Sequence, residues 1–302
     1  MKAYALLYSV LASLTVLELA GATGVTSRDS DYGGFGTSDD TAHKARGTSS
    51  QCTPFSIALS SSDTAAFDTS FVAISPSGSY GLVQDGLELF LDRPPGQITT
   101  KGNVNNKVAE GATINSTFTL LYVLPQRSYY NPFHLGHRHG RVTFTFSGPS
   151  VAGVVAAAIL IADQHDEIDV ELVGGDPQHW QTNVFAPAPH DDQPLYGVFG
   201  EIEDYPRGPK SVDETHSYTI DWNTERVQWS VDNATVRTLR RDDTKKNGAL
   251  HYPTHPARLQ LGIWDASSPA GTSEWARGPV DWNTAPRRMR AKFEHVEIEC
   301  PY

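Results

Sequence analysis

The chain has 302 residues, enough for one large β domain or two ordinary ones, and its 39% hydrophobic and 10% aromatic content is globular. A formal net charge of −11, with no block of Lys and Arg, excludes an electrostatic footprint for nucleic acid. The densest basic stretch, 237–246, is broken by Asp242 and Asp243 and reads as a solvated loop.

In chain order, the first 22 residues read as a secretory signal: Lys2 is the positive start, 5–17 the apolar core and Ala20-Gly21-Ala22 the cleavage site. The apolar run is shorter than the ~20 residues that cross a bilayer, and Glu18 interrupts it. No later segment is apolar enough to span, and the terminal Glu299-Cys300-Pro301-Tyr302 is no lipid-anchor signal, so a secreted, extracellular or wall-held protein is expected. Residues 23–51, rich in Ser, Thr, Gly and Asp, read as a flexible linker. One domain is expected over 52–302.

From Cys52 the chain turns to short apolar runs separated by Gly, Pro and Asn: 71–74, 86–91 and 117–123. Val142, Phe144 and Phe146 alternate with polar residues, and 154–161 is an unbroken apolar strand. Two runs, 218–222 and 227–231, flank the turn Asn223-Thr224-Glu225 as a hairpin, with Trp222 and Trp229 in the core. Leu259, Leu261 and Ile263 point inward from another strand, and 289–299 closes the domain. The pattern predicts an all-β, two-sheet sandwich. Cys52 and Cys300, the two cysteines, are expected to pair in an oxidising compartment and fasten the first segment to the last strand. Asn115-Ser116-Thr117 and Asn233-Ala234-Thr235 are N-glycosylation sequons, which should lie on the surface if used.

The most informative stretch is Asp166-Glu167-Ile168-Asp169-Val170-Glu171, followed by Leu172-Val173-Gly174-Gly175-Asp176. Its period of two puts Glu167, Asp169 and Glu171 on one face of a strand and Ile168, Val170 and Leu172 on the other. Like charges so close raise one another's pKa. Unequal protonation of two carboxyls is what glycoside hydrolysis needs. A solvated edge strand is the plainer alternative. Residues four apart on a strand are ~13 Å apart at the backbone, so the Glu side chains must lean together to act as a pair.

Glu-Ile-Asp-Val-Glu resembles the active-site signature of glycoside hydrolase family 16, whose members act on β-linked polysaccharides. The longer run, with Gln181-Thr182-Asn183, is similar to the fungal Crh-type chitin–glucan cross-linking transglycosylases. That resemblance implies a jelly roll with a concave substrate cleft. It also implies Glu167 as nucleophile, Asp169 as its assistant, whose charge raises a neighbour's pKa, and Glu171 as acid/base. Members specialised on β-1,3-glucan often carry an extra residue between the Asp and the last Glu; none is present here.

Neighbouring strands would offer amides and rings to sugars: Gln181, Asn183 and Phe185 on one strand, Gln260 and Trp264 on another. Gly271-Thr272-Ser273-Glu274-Trp275-Ala276-Arg277-Gly278 also resembles a Crh-type segment and nominates Trp275 for the cleft, with Trp282 packing the loop. His216, before Ser217-Tyr218, matches a family position near the cleft. The expected partners are a polysaccharide substrate and an oligosaccharide acceptor, handled by a monomer. No cofactor or catalytic metal is expected, although some relatives bind a structural calcium. The alternatives are a β-1,3(4)-glucan hydrolase and a lectin-like binding module.

Overall fold

A computed structural model of the chain describes residues 54–95, 109, 111–120, 140–188, 191 and 195–301. The expected signal peptide and linker, and Cys52, lie outside the described residues, as do 121–123 of one predicted strand. The strands are β1 (Phe55–Ala58), β2 (Phe71–Ala73), β3 (Tyr80–Val83), β4 (Gly86–Asp92), β5 (Thr113–Leu120), β6 (Gly140–Ser147), β7 (Val154–Ala162), β8 (Glu167–Val173) and β9 (His179–Phe185). There follow β10 (Glu201–Asp204), β11 (His216–Trp222), β12 (Arg226–Val231), β13 (Ala234–Arg240), β14 (Lys245–Lys246), β15 (Ala249–Leu250), β16 (Ala257–Asp265) and β17 (Arg288–Glu299). Two short α-helices, α1 (Thr64–Ser70) and α2 (Ala270–Trp275), and two 3-10 turns, Ser61–Asp63 and Arg241–Thr244, complete the described elements.

The strands form the all-β two-sheet sandwich that the alternation predicts. One sheet runs β10-β9-β8-β7-β16-β5-β2, and the other β13-β12-β11-β6-β17-β4-β3, with β1 also pairing β17. Period-two alternation gives each strand one apolar face, and the core fills the space between those faces. Ile168, Val170 and Leu172 of β8 and Leu259, Leu261 and Ile263 of β16 are buried, as are Val142, Phe144 and Phe146 of β6. Phe146 stacks on Phe293 with ring centroids 4.6 Å apart. Trp222 and Trp229 are both buried in this core, as expected, and Trp282 is buried in its loop.

Three local features follow from single residues. Asn223 closes the β11–β12 turn, its Oδ1 accepting hydrogen bonds from the Glu225 and Arg226 amides at 2.8 and 3.0 Å. The Gly174-Gly175 pair after β8 exists for close approach: a Cβ at Gly174 would sit 2.3 Å from the Pro149 carbonyl, and one at Gly175 2.5 Å from that of Ala276. Gly174 lets the 149–151 segment, and Gly175 the chain just after α2, dock against the end of β8. β1 runs antiparallel to β17 with Phe55 opposite Ile298, so the chain just after Cys52 lies beside the strand that leads into Cys300.

The sequons fare differently. Asn233 is exposed in the β12–β13 turn, at a φ of 64° that Asn tolerates. Asn115 is 9% exposed on β5, one strand in from the edge of the seven-stranded sheet, between β16 and β2. The expectation of a surface glycan site there is wrong, because a sequon is read from local sequence and this one folded into a sheet interior.

Phe146→Ala removes a fully buried ring that stacks on Phe293, and should destabilise the domain by ~3–5 kcal/mol. Urea unfolding measures it; a loss below ~1 kcal/mol would contradict this account of the core.

Candidate active site

β8 is regular over its whole length. Glu167 pairs with Ile161 on β7 and Phe185 on β9, Asp169 with Ile159 and Asn183, and Glu171 with Ala157 and Gln181, with no shift of register. Glu167, Asp169 and Glu171 therefore stand in one row on the face opposite the core, as the alternation requires. Glu167 and Glu171 are half-buried, and Asp169 is 2% exposed.

Burial dominates the electrostatics of this row. It raises the pKa of all three acids, because a charge taken from water is disfavoured. Asp169 is pushed well above the usual range, by burial first and then by the charges of Glu167 and Glu171. Glu171 rises to about 8, through burial and then the charge of Glu167. Glu167 is raised by burial, but a hydrogen bond from Asp169 pulls it back down. That same bond raises Asp169, so the proton sits on Asp169 and the charge on Glu167. One oxygen of Asp169, Oδ1, is buried without a hydrogen-bond partner among the described residues. An orphan oxygen of a neutral acid costs far less than one of a carboxylate. The row is thus graded: a neighbour's hydrogen bond favours the ionised form at Glu167, while neighbouring charge opposes it at Asp169 and Glu171. The contact expected between Asp169 and Glu167 is therefore one in which Asp169 is the favoured donor, and the neighbouring charge that raises Glu171 is that of Glu167.

The flanking strands place most of the predicted residues on the same face. Gln181, Asn183 and Phe185 lie opposite the three acids on β9. Gln260 lies opposite Ile159, which lies opposite Asp169, and Trp264 lies opposite Val155 on β7. Trp264 and Trp275 stack at 6.0 Å, and the indole N–H of Trp275 donates to Gln181 Oε1 at 2.9 Å. These three side chains join β9, β16 and α2 beside Glu171. Phe185 packs edge-on against Tyr196 at 5.6 Å, and Asn183 Oδ1 accepts from the Val184 amide at 2.9 Å.

His216 is not part of this face. It is 3% exposed on β11, in the same inward row as Tyr218 and Ile220, with Nδ1 2.9 Å from Asp232 and its ring 4.8 Å from that of Tyr205. It packs in the core of the other sheet; its parity with Tyr218 was the signal that it points inward. Asp166, in contrast, was given no role by the sequence. Its buried Oδ2 accepts from the Thr254 and His255 amides at 2.7 and 2.9 Å and lies 2.8 Å from His255 Nδ1. It pins the start of β8 to a loop some 88 residues later, which no local pattern signals. Among the described residues no cluster of His, Cys, Asp and Glu is arranged to hold a metal, and no helix is long and apolar enough to cross a membrane.

A raised carboxyl pKa has a definite consequence for stability. Glu171 favours the fold while both states are protonated, below an unfolded value of ~4.3, and that contribution is lost as pH rises through about 8. Gln cannot ionise. Glu171→Gln should therefore raise the thermal midpoint at pH 9 by several degrees and change it little at pH 5. An equal change at both pH values would contradict the protonated state of Glu171.

Comparison with known proteins agrees with this geometry. Residues 134–290, just over half the chain, match the model of Glycosyl hydrolases family 16. Crh-like protein 5 of Aspergillus fumigatus is 37% identical over 170 residues, which cover 54% of this chain and 40% of that protein. Crh-like protein CRH11 of Candida albicans is 33% identical, over 60% of this chain and 38% of its own. The chain thus spans about two fifths of the length of these curated relatives. Among solved structures, a Crh5 transglycosylase in complex with NAG superposes with a TM-score of 0.60 at 26% identity, over 83% of this chain and 89% of that one. A Bacillus licheniformis β-glucanase, at 16% identity and a TM-score of 0.57, shares the fold. With the acidic strand inside the matched residues and the same sandwich around it, the chain belongs to glycosyl hydrolase family 16.

Proposed function

We propose that the protein is a secreted retaining glycosidase and transglycosylase that acts on β-linked cell-wall polysaccharide, chitin or β-glucan, through a glycosyl-enzyme intermediate. The observation that carries the reading is one unbroken row of three acids with graded surroundings: a Glu167 whose ionised form is favoured by a hydrogen bond from Asp169, and a Glu171 whose pKa is raised to about 8. Double displacement needs those states in that order. Glu167 attacks the anomeric carbon while Glu171 gives its proton to the departing sugar oxygen. Asp169 holds Glu167 in place by its hydrogen bond and releases it as the new bond forms. Glu171, now a carboxylate, takes a proton from an incoming hydroxyl, whose oxygen displaces Glu167 and restores the starting state. When that hydroxyl is water the outcome is hydrolysis, and when it is a sugar the outcome is transfer.

Kinship with Crh-like proteins and with a transglycosylase crystallised with NAG supports the transfer reading and a chitin-type sugar. The regular β8, with no bulge between Asp169 and Glu171, is the feature that argues against a strict β-1,3-glucanase. In the seated substrate, the half-buried Trp275 and Phe185 supply ring faces and Gln181 an amide, while Trp264, Asn183 and Gln260, expected to touch sugar, are buried and back this face from within. The amino-terminal sequence supports secretion.

The test is incubation with chitin and β-glucans together with a fluorescent oligosaccharide acceptor. Label should enter polymer, and Glu167→Gln should lower the rate by ~10⁴-fold or more while the protein stays folded, as loss of a nucleophile does. The wild-type rate should fall as pH rises through about 8, where Glu171 loses the proton it donates. Shortened donors without labelled polymer would support a hydrolase, and binding without turnover a lectin-like module. A wild-type rate in Glu167→Gln would reject the assignment.

A further inference from the structure

Between the sheets, the middle acid of the row is gripped from behind by a group that no sugar touches. Trp229 belongs to β12 in the other sheet and is fully buried, and its indole N–H donates across the core to the main-chain carbonyl of Asp169 at 3.0 Å. That carbonyl already lies between β7 and β9, so a donor from the facing sheet is an addition to the ladder and no substitute for it. Beside it stands Arg237 of β13, its guanidinium 4.6 Å from the centre of the Trp229 ring, where a cation is attracted to the ring face. Arg237 in turn donates to the carbonyl of Thr182 at 3.1 Å, to its hydroxyl at 2.6 Å and to the carbonyl of Phe199 at 2.5 Å. Thr182 lies opposite Val170, the residue between Asp169 and Glu171. Its hydroxyl also donates to the buried Glu203 at 2.8 Å. One indole and one guanidinium thus tie both β8 and β9 to the second sheet directly beneath the acids.

We propose that Trp229 is a positioning residue for the acidic row, acting through the Asp169 carbonyl to fix the distance at which Asp169 meets Glu167. The proposal rests on the reading of that row as catalytic. Its physical basis is the sensitivity of the row to small displacements. The hydrogen bond from Asp169 opposes the effect of burial on Glu167, and a lengthening of a fraction of an ångström weakens it steeply. Fixing Cα and carbonyl of residue 169 is the means left to the protein, since Asp169 Oδ1 has no hydrogen-bond partner among the described residues. An indole N–H suits the task because it is a neutral donor. A cation in contact with the row would draw the proton off Asp169, whereas Trp229 holds the strand without changing which acid is charged. Arg237 supplies its positive charge one layer further back, and burial lowers its own pKa.

The test compares two Trp→Phe changes in the full-length enzyme. Trp229→Phe keeps a ring in the core and removes the donor. Trp180→Phe is the control: Trp180 is also fully buried, on β9, and its Nε1 has no hydrogen-bond partner among the described residues. Trp229→Phe should lower kcat about tenfold with KM unchanged and move the acid limb of the pH–rate profile upward, because Glu167 loses part of the bond that keeps it ionised. Trp180→Phe should leave both as in wild type. An unchanged acid limb in Trp229→Phe, or the same change in both variants, would overturn the proposal. Should Trp229→Phe fail to fold, the isosteric benzothienylalanine at position 229, with sulfur in place of N–H, makes the same comparison. If wild type itself turns over no glycan and Glu167→Gln changes nothing, the failure belongs to the functional reading and not to Trp229.

Discussion

Three carboxyl groups on alternate residues of one buried strand oppose one another's ionisation. Everything else about the domain is arranged around that restriction. Burial disfavours ionisation of each acid, and an ionised neighbour disfavours the next, so the surroundings favour charge at Glu167 over Asp169 and Glu171. Among the described residues no cation contributes to the asymmetry. It comes from one hydrogen bond, which lowers Glu167 and raises Asp169 by the same contact. A row of identical residues at identical spacing would have no reason to divide its roles; an Asp between two Glu, one methylene shorter, breaks the symmetry.

The sandwich supports this state from below and from the side. Ile168, Val170 and Leu172 lock β8 into the core, and a slip of one residue would turn the acids inward. Asp166 ties the start of the strand to the 254–255 loop, and Gly174-Gly175 lets the chain after α2 close on its far end. Trp229 and Arg237 hold the middle. Because the same Gly-Gly that ends β8 admits the chain after α2, the position of Trp275, and through it Gln181 and Trp264, follows from the strand that carries the acids. Chemistry and the aromatic wall beside it are thereby set by one element.

The sequence carried the parts of this that depend on period. Alternation in 142–146, 167–172 and 258–264 predicted strands and their inward faces, and the structure has each where alternation put it. It equally placed Gln181, Asn183, Phe185 and Gln260 on the acid face, since register follows from which residues are apolar. The parts that failed depend on contacts between distant residues or on rules blind to the fold. His216 was assigned to the cleft by family resemblance although its parity with Tyr218 pointed inward. Asn115 was read as a surface sequon although it lies in a sheet interior. The partners of Asp166 and Trp229 lie some 60 to 88 residues away, and no local pattern encodes them. The strong upward shift of Asp169 was also invisible, because it follows first from burial, which a strand pattern leaves open.

The division of protons along the row can be read directly. Carboxyl carbons of glutamate, labelled with ¹³C, report ionisation residue by residue in the folded protein. Two signals should be assignable by difference in Glu167→Gln and Glu171→Gln. The account predicts that the Glu171 signal titrates near pH 8, while the Glu167 signal is already that of a carboxylate at pH 7. Glu171 titrating in the ordinary range near 4, or Glu167 still protonated at pH 7, would contradict it.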